Sequence, residues 1–146
     1  MKASSIIATR EKVKVMGLDN GFEVKGLKRS EIPSFVKYIW YDWYEPDHDI
    51  ELVYWRKCWG LREAVLKVLH GEPDRYEFKV EAEDIPAIIR AIQPFFNEEY
   101  WEEEGNSIWT FEEKFPSLIQ DVINLTWLKD YLESHPDSEC YFYDSY

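Results

Sequence analysis

Apolar residues follow two different spacings along the chain, and each spacing predicts one type of element. Alternation of apolar and polar residues at 22–25 and 76–80, together with the run CYFYD at 140–144, predicts three short strands. Residues 35–44, FVKYIWYDWY, are β-branched and aromatic. They predict a further strand, with a helix as the alternative.

Helical spacing is clearest at residues 50–70, which we predict to be the longest helix, ended by Gly71. Apolar residues lie on two nearly opposite sides of this helix, which would place it at the centre of the fold. The first stripe is Ile50, Tyr54, Cys58, Leu61, Val65 and Val68, and the second is Trp55, Trp59 and Leu66.

Two more helices are predicted in the second half of the chain. Asp84 has the residue type of an N-cap and begins a helix that reaches Pro94. Thr110 and Glu113 have the spacing of a capping box. The helix after them carries Leu118, Val122, Leu125, Leu128 and Leu132 on one face. We expect Pro116, in its first two turns, to bend or delay its start.

The order of these elements predicts an α+β fold, with a small antiparallel or mixed sheet, about three helices, and the YWRK helix (residues 54–57) central. The five glutamates within residues 97–107 predict a solvated loop. A length of 146 residues fits one domain. We expect a dispensable basic N-terminal arm at residues 1–15 and a single domain at residues 16–146, with Met16 as an alternative start.

Composition and charge narrow the classes of function. The chain has 29 acidic and 17 basic residues, for a net charge of −12, which disfavours direct binding to nucleic acid and to anionic membranes. It contains no apolar run of about 20 residues and no apolar signal segment near its N-terminus. The 2 cysteines make no disulfide framework. We therefore expect a cytoplasmic protein with reduced thiols.

Catalytic and metal-binding patterns are sparse. The sequence lacks HExxH, GxSxG, GxxxxGK[ST], GxGxxG and CxxC, so we predict no catalytic residue and no cofactor. Asp47, His48 and Asp49 have the residue types of metal ligands. However, residues adjacent in sequence seldom converge on one ion, and these three suit the start of the predicted helix at residue 50. We predict no metal site.

One candidate binding site lies on the predicted central helix. Gly60 and Ala64 would leave a depression, with three cations around its rim and two tryptophans beside it. This cationic notch would suit an anionic or planar ligand. Its candidate residues are Trp55, Arg56, Lys57, Trp59, Gly60 and Lys67. The alternative is that the small residues admit another helix and that the cations pair with nearby carboxylates.

Four segments in order resemble a family of small proteins encoded by bacteriophages, prophages and bacterial genomes. The segments are MGLDNGFEVKG (16–26), ELVYWRKCWGLREAVL (51–66), SIWTFEEKFP (107–116) and YFYDSY (141–146). The resemblance implies no catalytic residue, since no activity is established for the family. Many of its members carry Asn and His where this chain has Trp59 and Arg62.

Three functions are compatible with the sequence. The first is a non-enzymatic binding protein of phage or mobile-element origin, which acts on a host protein or sequesters a small anionic ligand. The second is a small enzyme or ligand-processing protein that uses the cationic notch. The third is a structural homo-oligomer whose surplus tryptophans form an interface.

Overall fold

The computed structural model describes residues 18–38, 50–71 and 76–145. Within these residues, one antiparallel sheet has the strand order β2–β1–β4–β3, and four α-helices accompany it. The strands are β1 (Asp19–Lys25), β2 (Ile50–Arg56), β3 (Glu77–Val80) and β4 (Glu139–Ser145). The helices are α1 (Trp59–Val68), α2 (Asp84–Ile92), α3 (Glu98–Glu104) and α4 (Phe111–Ser134). The predicted α+β class and the strands around residues 22–25, 76–80 and 140–144 are confirmed.

The helices cover one face of the sheet. Phe22 of β1, Trp55 of β2 and Phe142 of β4 are buried there, with ring centroids 5.0–6.3 Å apart. The indole Nε1 of Trp55 donates a hydrogen bond to Asp121 of α4 at 2.8 Å. Because side chains alternate across a strand, the odd-numbered residues of β1 and β4 face the opposite side. We call that side the outer sheet face.

The segment YWRK belongs to a strand, and its prediction as part of a helix is wrong. Residues Ile50–Arg56 form β2, and α1 begins only at Trp59. A β-bulge explains the error: Phe22 pairs with Val53 and Glu23 with Glu51, so Leu52 is an extra residue. The bulge leaves Ile50 to Val53 all buried, which hides the alternation of a strand.

Asn124 of α4 supports this bulge from the helix side. Its side-chain amide donates to the Leu52 carbonyl at 2.7 Å and to the Lys37 carbonyl at 2.6 Å. Its Oδ1 accepts from the Lys37 N–H at 3.2 Å and from Gln120 Nε2 at 2.8 Å. The side chain therefore supplies, for two irregular stretches of backbone, the hydrogen bonds that a neighbouring strand would give.

Two helix boundaries differ from the predictions. Residues 98–104 form α3 and not a loop, because Asn97 caps it by accepting from the Tyr100 N–H at 2.9 Å and because Trp101 is buried. Glu98 and Glu99 lie in its first turn, where carboxylates interact favourably with the helix dipole. α4 begins at Phe111, ahead of Pro116, so the proline does not delay its start.

The start of α4 confirms the predicted capping box. The Glu113 N–H donates to Thr110 Oγ1 at 3.1 Å, and the Thr110 N–H donates to Glu113 Oε1 at 2.9 Å. The helix then buries an inner face made of Leu118, Asp121, Asn124, Leu125, Leu128, Tyr131 and Leu132.

Thr110→Ala is expected to lower the free energy of unfolding by about 0.5–2 kcal/mol, the usual cost of losing an N-cap side chain. Glu113→Ala is expected to lose part of the same energy, because each side chain satisfies the other's backbone N–H. Urea unfolding of both single variants and the double variant measures this. Strictly additive losses would contradict a reciprocal capping box.

Several predictions fall on residues outside the described ranges. These are the arm at 1–15, Met16, most of the strand predicted at 35–44, and the Asp47–His48–Asp49 trio. The described part of that predicted strand, residues 35–38, is a turn and irregular backbone. No helix in the described ranges is long and apolar enough to cross a membrane.

Candidate functional site

The structure separates the residues of the predicted cationic notch. Trp55 is fully buried in the core. Arg56 is the last residue of β2 and lies on the outer sheet face, where its Nη1 is 3.6 Å from Asp19 Oδ1. Lys57 has a left-handed backbone conformation, with φ of 55°, and separates β2 from α1. The placement of all six candidates on one helix is therefore wrong, because the chain changes from strand to helix between them.

Gly60 is the point where α1 approaches the end of α3. A Cβ there would collide with the Glu104 carbonyl oxygen and lie 2.8 Å from the Phe95 ring and 2.9 Å from the Gly105 carbonyl oxygen. The Gly60 N–H donates to that Gly105 oxygen at 2.9 Å. Close packing, the alternative considered for this glycine, accounts for its presence.

Gly60 and Lys67 do line an open groove of about 390 Å³. The groove lies between α1, α2 and α3. Its wall also contains Glu63, Ala64, Val68, Ala91, Phe95, Tyr100 and Glu104. The carboxylates of Glu63 and Glu104 accompany Lys67, the single cation of the groove. The groove is therefore not the cationic notch that the sequence predicted. Trp59 lies elsewhere, beside Arg62, whose guanidinium carbon is 5.8 Å from the indole centroid.

The outer sheet face carries a denser arrangement of polar and aromatic groups. Gly21 occupies its centre, opposite Tyr54 of β2 and Tyr143 of β4. Because Gly21 has no side chain, the Glu51 carboxylate and the Tyr143 ring lie directly over its backbone. The residues of this face on the three longer strands are Asp19, Gly21, Glu23, Lys25, Glu51, Tyr54, Arg56, Glu139, Tyr141, Tyr143 and Ser145.

Glu51 reaches this face because of the bulge at Leu52. In a regular strand without a bulge, Glu51 would share the inner side with Val53 and Trp55, because these residues are two apart. It is only 8% exposed, and its Oε1 accepts a hydrogen bond from the Tyr143 hydroxyl. Burial raises the pKa of Glu51 to about 7; the Tyr143 hydrogen bond lowers it, and the nearby charges of Glu23 and Asp19 raise it further.

Asp19 joins two neighbouring residues of β2 at one end of the face. The Tyr54 hydroxyl donates to Asp19 Oδ1 at 2.7 Å, and Arg56 Nη1 lies 3.6 Å from the same oxygen. Burial and the Asp19 hydrogen bond raise the pKa of Tyr54 to about 12. Tyr54 is therefore a neutral hydrogen-bond donor at ordinary pH, with an amphipathic ring that is half-buried.

Charges of both signs occupy the other side of the face, towards β3. Lys25 lies over the Tyr141 ring, 4.8 Å from its centroid. The Nζ atom of Lys79 on β3 lies 4.0 Å from Glu139 Oε2 and 3.6 Å from Glu81 Oε1. The excess of negative charge is thus concentrated at the β1–β2 side, where Asp19, Glu23 and Glu51 lie together.

A buried polar cluster under the helices was missed at the sequence level. Arg62 of α1 donates through Nε and Nη2 to the two carboxylate oxygens of Asp144, each at 2.8 Å. Asn20 of β1 donates to Asp144 Oδ1 at 2.7 Å. The sequence of β4 could have indicated it. Cys140, Phe142 and Asp144 share one side of the predicted strand, and a carboxylate buried among apolar residues needs a hydrogen-bonding partner. The cluster ties α1 to two strands.

The two thiols and the remaining buried carboxyl offer no nucleophile. Cys58 and Cys140 are free and buried, and burial raises the pKa of each. Burial likewise raises the pKa of Asp121 to about 6, although the Trp55 hydrogen bond opposes this. In residues 18–38, 50–71 and 76–145, no group of three or more His, Cys, Asp and Glu side chains is arranged to hold a metal ion.

The outer sheet face is therefore the strongest candidate site in the described part of the chain. It combines tyrosines, an exposed arginine and a carboxylate-rich side, whereas the groove at Gly60 is open and of mixed charge. The proposed likeness to phage and prophage proteins stays a prediction. Comparison of the chain with family models, with curated proteins and with solved structures finds no match.

Proposed function

We propose that the protein is a non-enzymatic binding protein that contacts a positively charged segment of another protein through the outer sheet face. The observation that carries this proposal is the row Tyr54–Gly21–Tyr143 with Asp19, Glu23 and Glu51 beside it. Because Gly21 has no side chain, the Glu51 carboxylate and the Tyr143 ring cover its backbone and form the centre of the row.

The residue types of this face suit protein recognition. Tyrosine and arginine are enriched in the cores of protein interfaces, because each offers a large contact area together with hydrogen-bonding groups. Tyr54, Tyr141 and Tyr143 are all half-buried and present part of their rings. Asp19 and Glu23, both half-buried, supply negative charge that a lysine or arginine side chain would meet, and Glu51, only 8% exposed, adds to this charge when it is ionised.

Long-range electrostatics support the same class of partner. A net charge of −12 attracts basic surfaces and accelerates their association at low salt. We propose a host protein as the partner, in the cytoplasm, in line with the resemblance to phage and prophage proteins. A small anionic ligand fits less well, since Arg56 lies away from the groove that contains Lys67.

A lysine octapeptide, titrated into the ¹⁵N-labelled protein, tests the proposal. The largest shift changes are expected at β1 and β4 around Gly21. Glu23→Gln should weaken binding by about two- to fivefold, the range for loss of one exposed charge pair. Glu63→Gln is the matched control, because it removes the same charge from the groove side. Equal weakening in both variants would show non-specific attraction and overturn the proposed face.

A structural homo-oligomer is the second candidate, and exposed apolar residues beside α4 favour it. Phe35, Ile119 and Ile123 are 56%, 42% and 38% exposed, respectively. Contiguous exposed apolar side chains are typical of contact surfaces. Native mass spectrometry distinguishes the two functions, since this candidate requires a multimer of fixed size in the absence of any partner.

A further inference from the structure

We infer that the Glu51 carboxyl is a proton switch on the outer sheet face: with its proton it presents a neutral group to a cationic partner, and without it a carboxylate. This inference concerns the regulation of the proposed binding face, and its link to affinity rests on that function. It stands on the position that the bulge gives to Glu51 and on the groups around it.

Groups on three strands surround Glu51, and those on β1 disfavour its charge. Glu23 pairs with it directly across from β1, and Asp19 of the same strand contributes a second negative charge. From β4, the Tyr143 hydroxyl donates a hydrogen bond to it. Tyr54 is the nearby titratable group on its own strand, and it is neutral at ordinary pH because its pKa is raised to about 12. Like charges opposite each other on a sheet are unfavourable.

No compensating cation reaches Glu51 in the described part of the chain. Arg56, on the same strand, is 3.6 Å from Asp19, and no ion pair among these residues includes Glu51. Glu51 is also 8% exposed, so water solvates its charge poorly. These conditions explain why its pKa is raised to about 7. The carboxyl therefore exchanges its proton within the physiological pH range.

A lysine or arginine brought to this face would shift the equilibrium between the protonated and the ionised form of Glu51. A cation close to Glu51 stabilises the carboxylate and lowers its pKa, so binding would release a proton. By reciprocity, affinity for the cation rises as the pH rises and Glu51 ionises. If only the ionised form binds, the affinity gain from pH 6 to pH 8 is at most about tenfold, the ratio of the ionised fractions for a pKa of about 7.

Carboxyl ¹³C NMR of glutamate-labelled protein tests the switch without any partner. The wild-type spectrum should contain one carboxyl resonance with a midpoint near 7, and that resonance should be missing from Glu51→Gln. Glutamine keeps an oxygen that accepts from Tyr143 but cannot ionise. Tyr143→Phe should raise the midpoint further, because it removes the hydrogen bond that favours the carboxylate. A midpoint near the ordinary value of about 4.3 would overturn the inference.

Affinity for the lysine octapeptide at pH 6 and pH 8 tests the link to binding. The gain with pH should be larger in the wild type than in Glu51→Gln, and any other group that titrates contributes equally to both. Binding at the outer sheet face with the same pH dependence in both proteins overturns the inference and leaves the proposed function intact. Failure of the peptide to bind at either pH overturns the proposed function, while the NMR midpoint still decides whether Glu51 exchanges its proton near neutral pH.

Discussion

Asp144→Ala is expected to lower the free energy of unfolding by about 3–5 kcal/mol, the usual cost of removing one partner from a buried ion pair. The Arg62 guanidinium would stay buried and lose the carboxylate that accepts two of its N–H groups. Asn20 would lose the same acceptor. A domain of this size is stable by only about 5–15 kcal/mol, so urea unfolding should show a large shift of the midpoint.

Glu133→Ala is the matched control for this loss. Glu133 forms an ion pair with Lys129 at 3.1 Å, but on the surface of α4 and one helical turn away. Such exposed pairs contribute about 0.3–0.5 kcal/mol. Similar small losses in the two variants would show that the Arg62–Asp144 pair is solvated and does not tie α1 to the sheet. Replacement of both partners, Arg62→Met with Asp144→Leu, should recover part of the stability, because no charge is then left buried.

Gly60→Ala is expected to destabilise the protein by about 1–3 kcal/mol, the range for overpacking a well-packed region. Helix propensity alone predicts the opposite sign, with a gain of up to about 1 kcal/mol over glycine. The structure decides between them, because the atoms that a Cβ would meet include the backbone carbonyl oxygens of Glu104 and Gly105. Backbone atoms cannot rotate away as the end of a side chain does.

Urea unfolding of Gly60→Ala and Gly60→Leu measures this effect. Leucine should cost more than alanine, because a Cβ alone already meets the Phe95 ring and two carbonyl oxygens, and leucine adds three more carbon atoms at the same crowded place. A variant with unchanged or increased stability would show that the space next to Gly60 is open, as the predicted notch required. The result therefore separates a ligand-binding depression from a close contact between helices.

The sequence predicted elements whose signals are local. The capping box of Thr110 and Glu113 depends on residues three apart, and its geometry is present as expected. The strand β4 was predicted from the five-residue run CYFYD, and its inward positions are Cys140, Phe142 and Asp144. Such patterns need no knowledge of the rest of the chain.

The errors occurred where the outcome depends on distant residues. The strand β2 was predicted as a helix because the bulge at Leu52 makes four successive positions buried. The hydrogen bond that supports this bulge comes from Asn124 of α4, which is distant in sequence. α3 was predicted as a loop because its glutamates hide the one buried anchor, Trp101. The candidate binding residues were misplaced for the same reason, since a strand and a helix direct the same side chains differently.

The outer sheet face could not be predicted as a site. Glu51 would face inward by simple alternation, and only the bulge turns it outward next to Tyr143. The closeness of Asp19, Glu23 and Glu51 depends on the register between β1 and β2, which is set by pairing across residues that are distant in sequence.

The support that Asn124 gives to β2 has a consequence for aggregation. β2 is an edge strand of the described sheet, and an edge strand with free N–H and C=O groups can add a strand from another molecule. Here the Leu52 carbonyl is already bonded to Asn124, and the bulge interrupts the regular spacing that an added strand would need. β3, the other edge, is four residues long and carries outward Glu77 and Lys79. Both edges of the sheet are therefore poor templates for strand addition by another molecule.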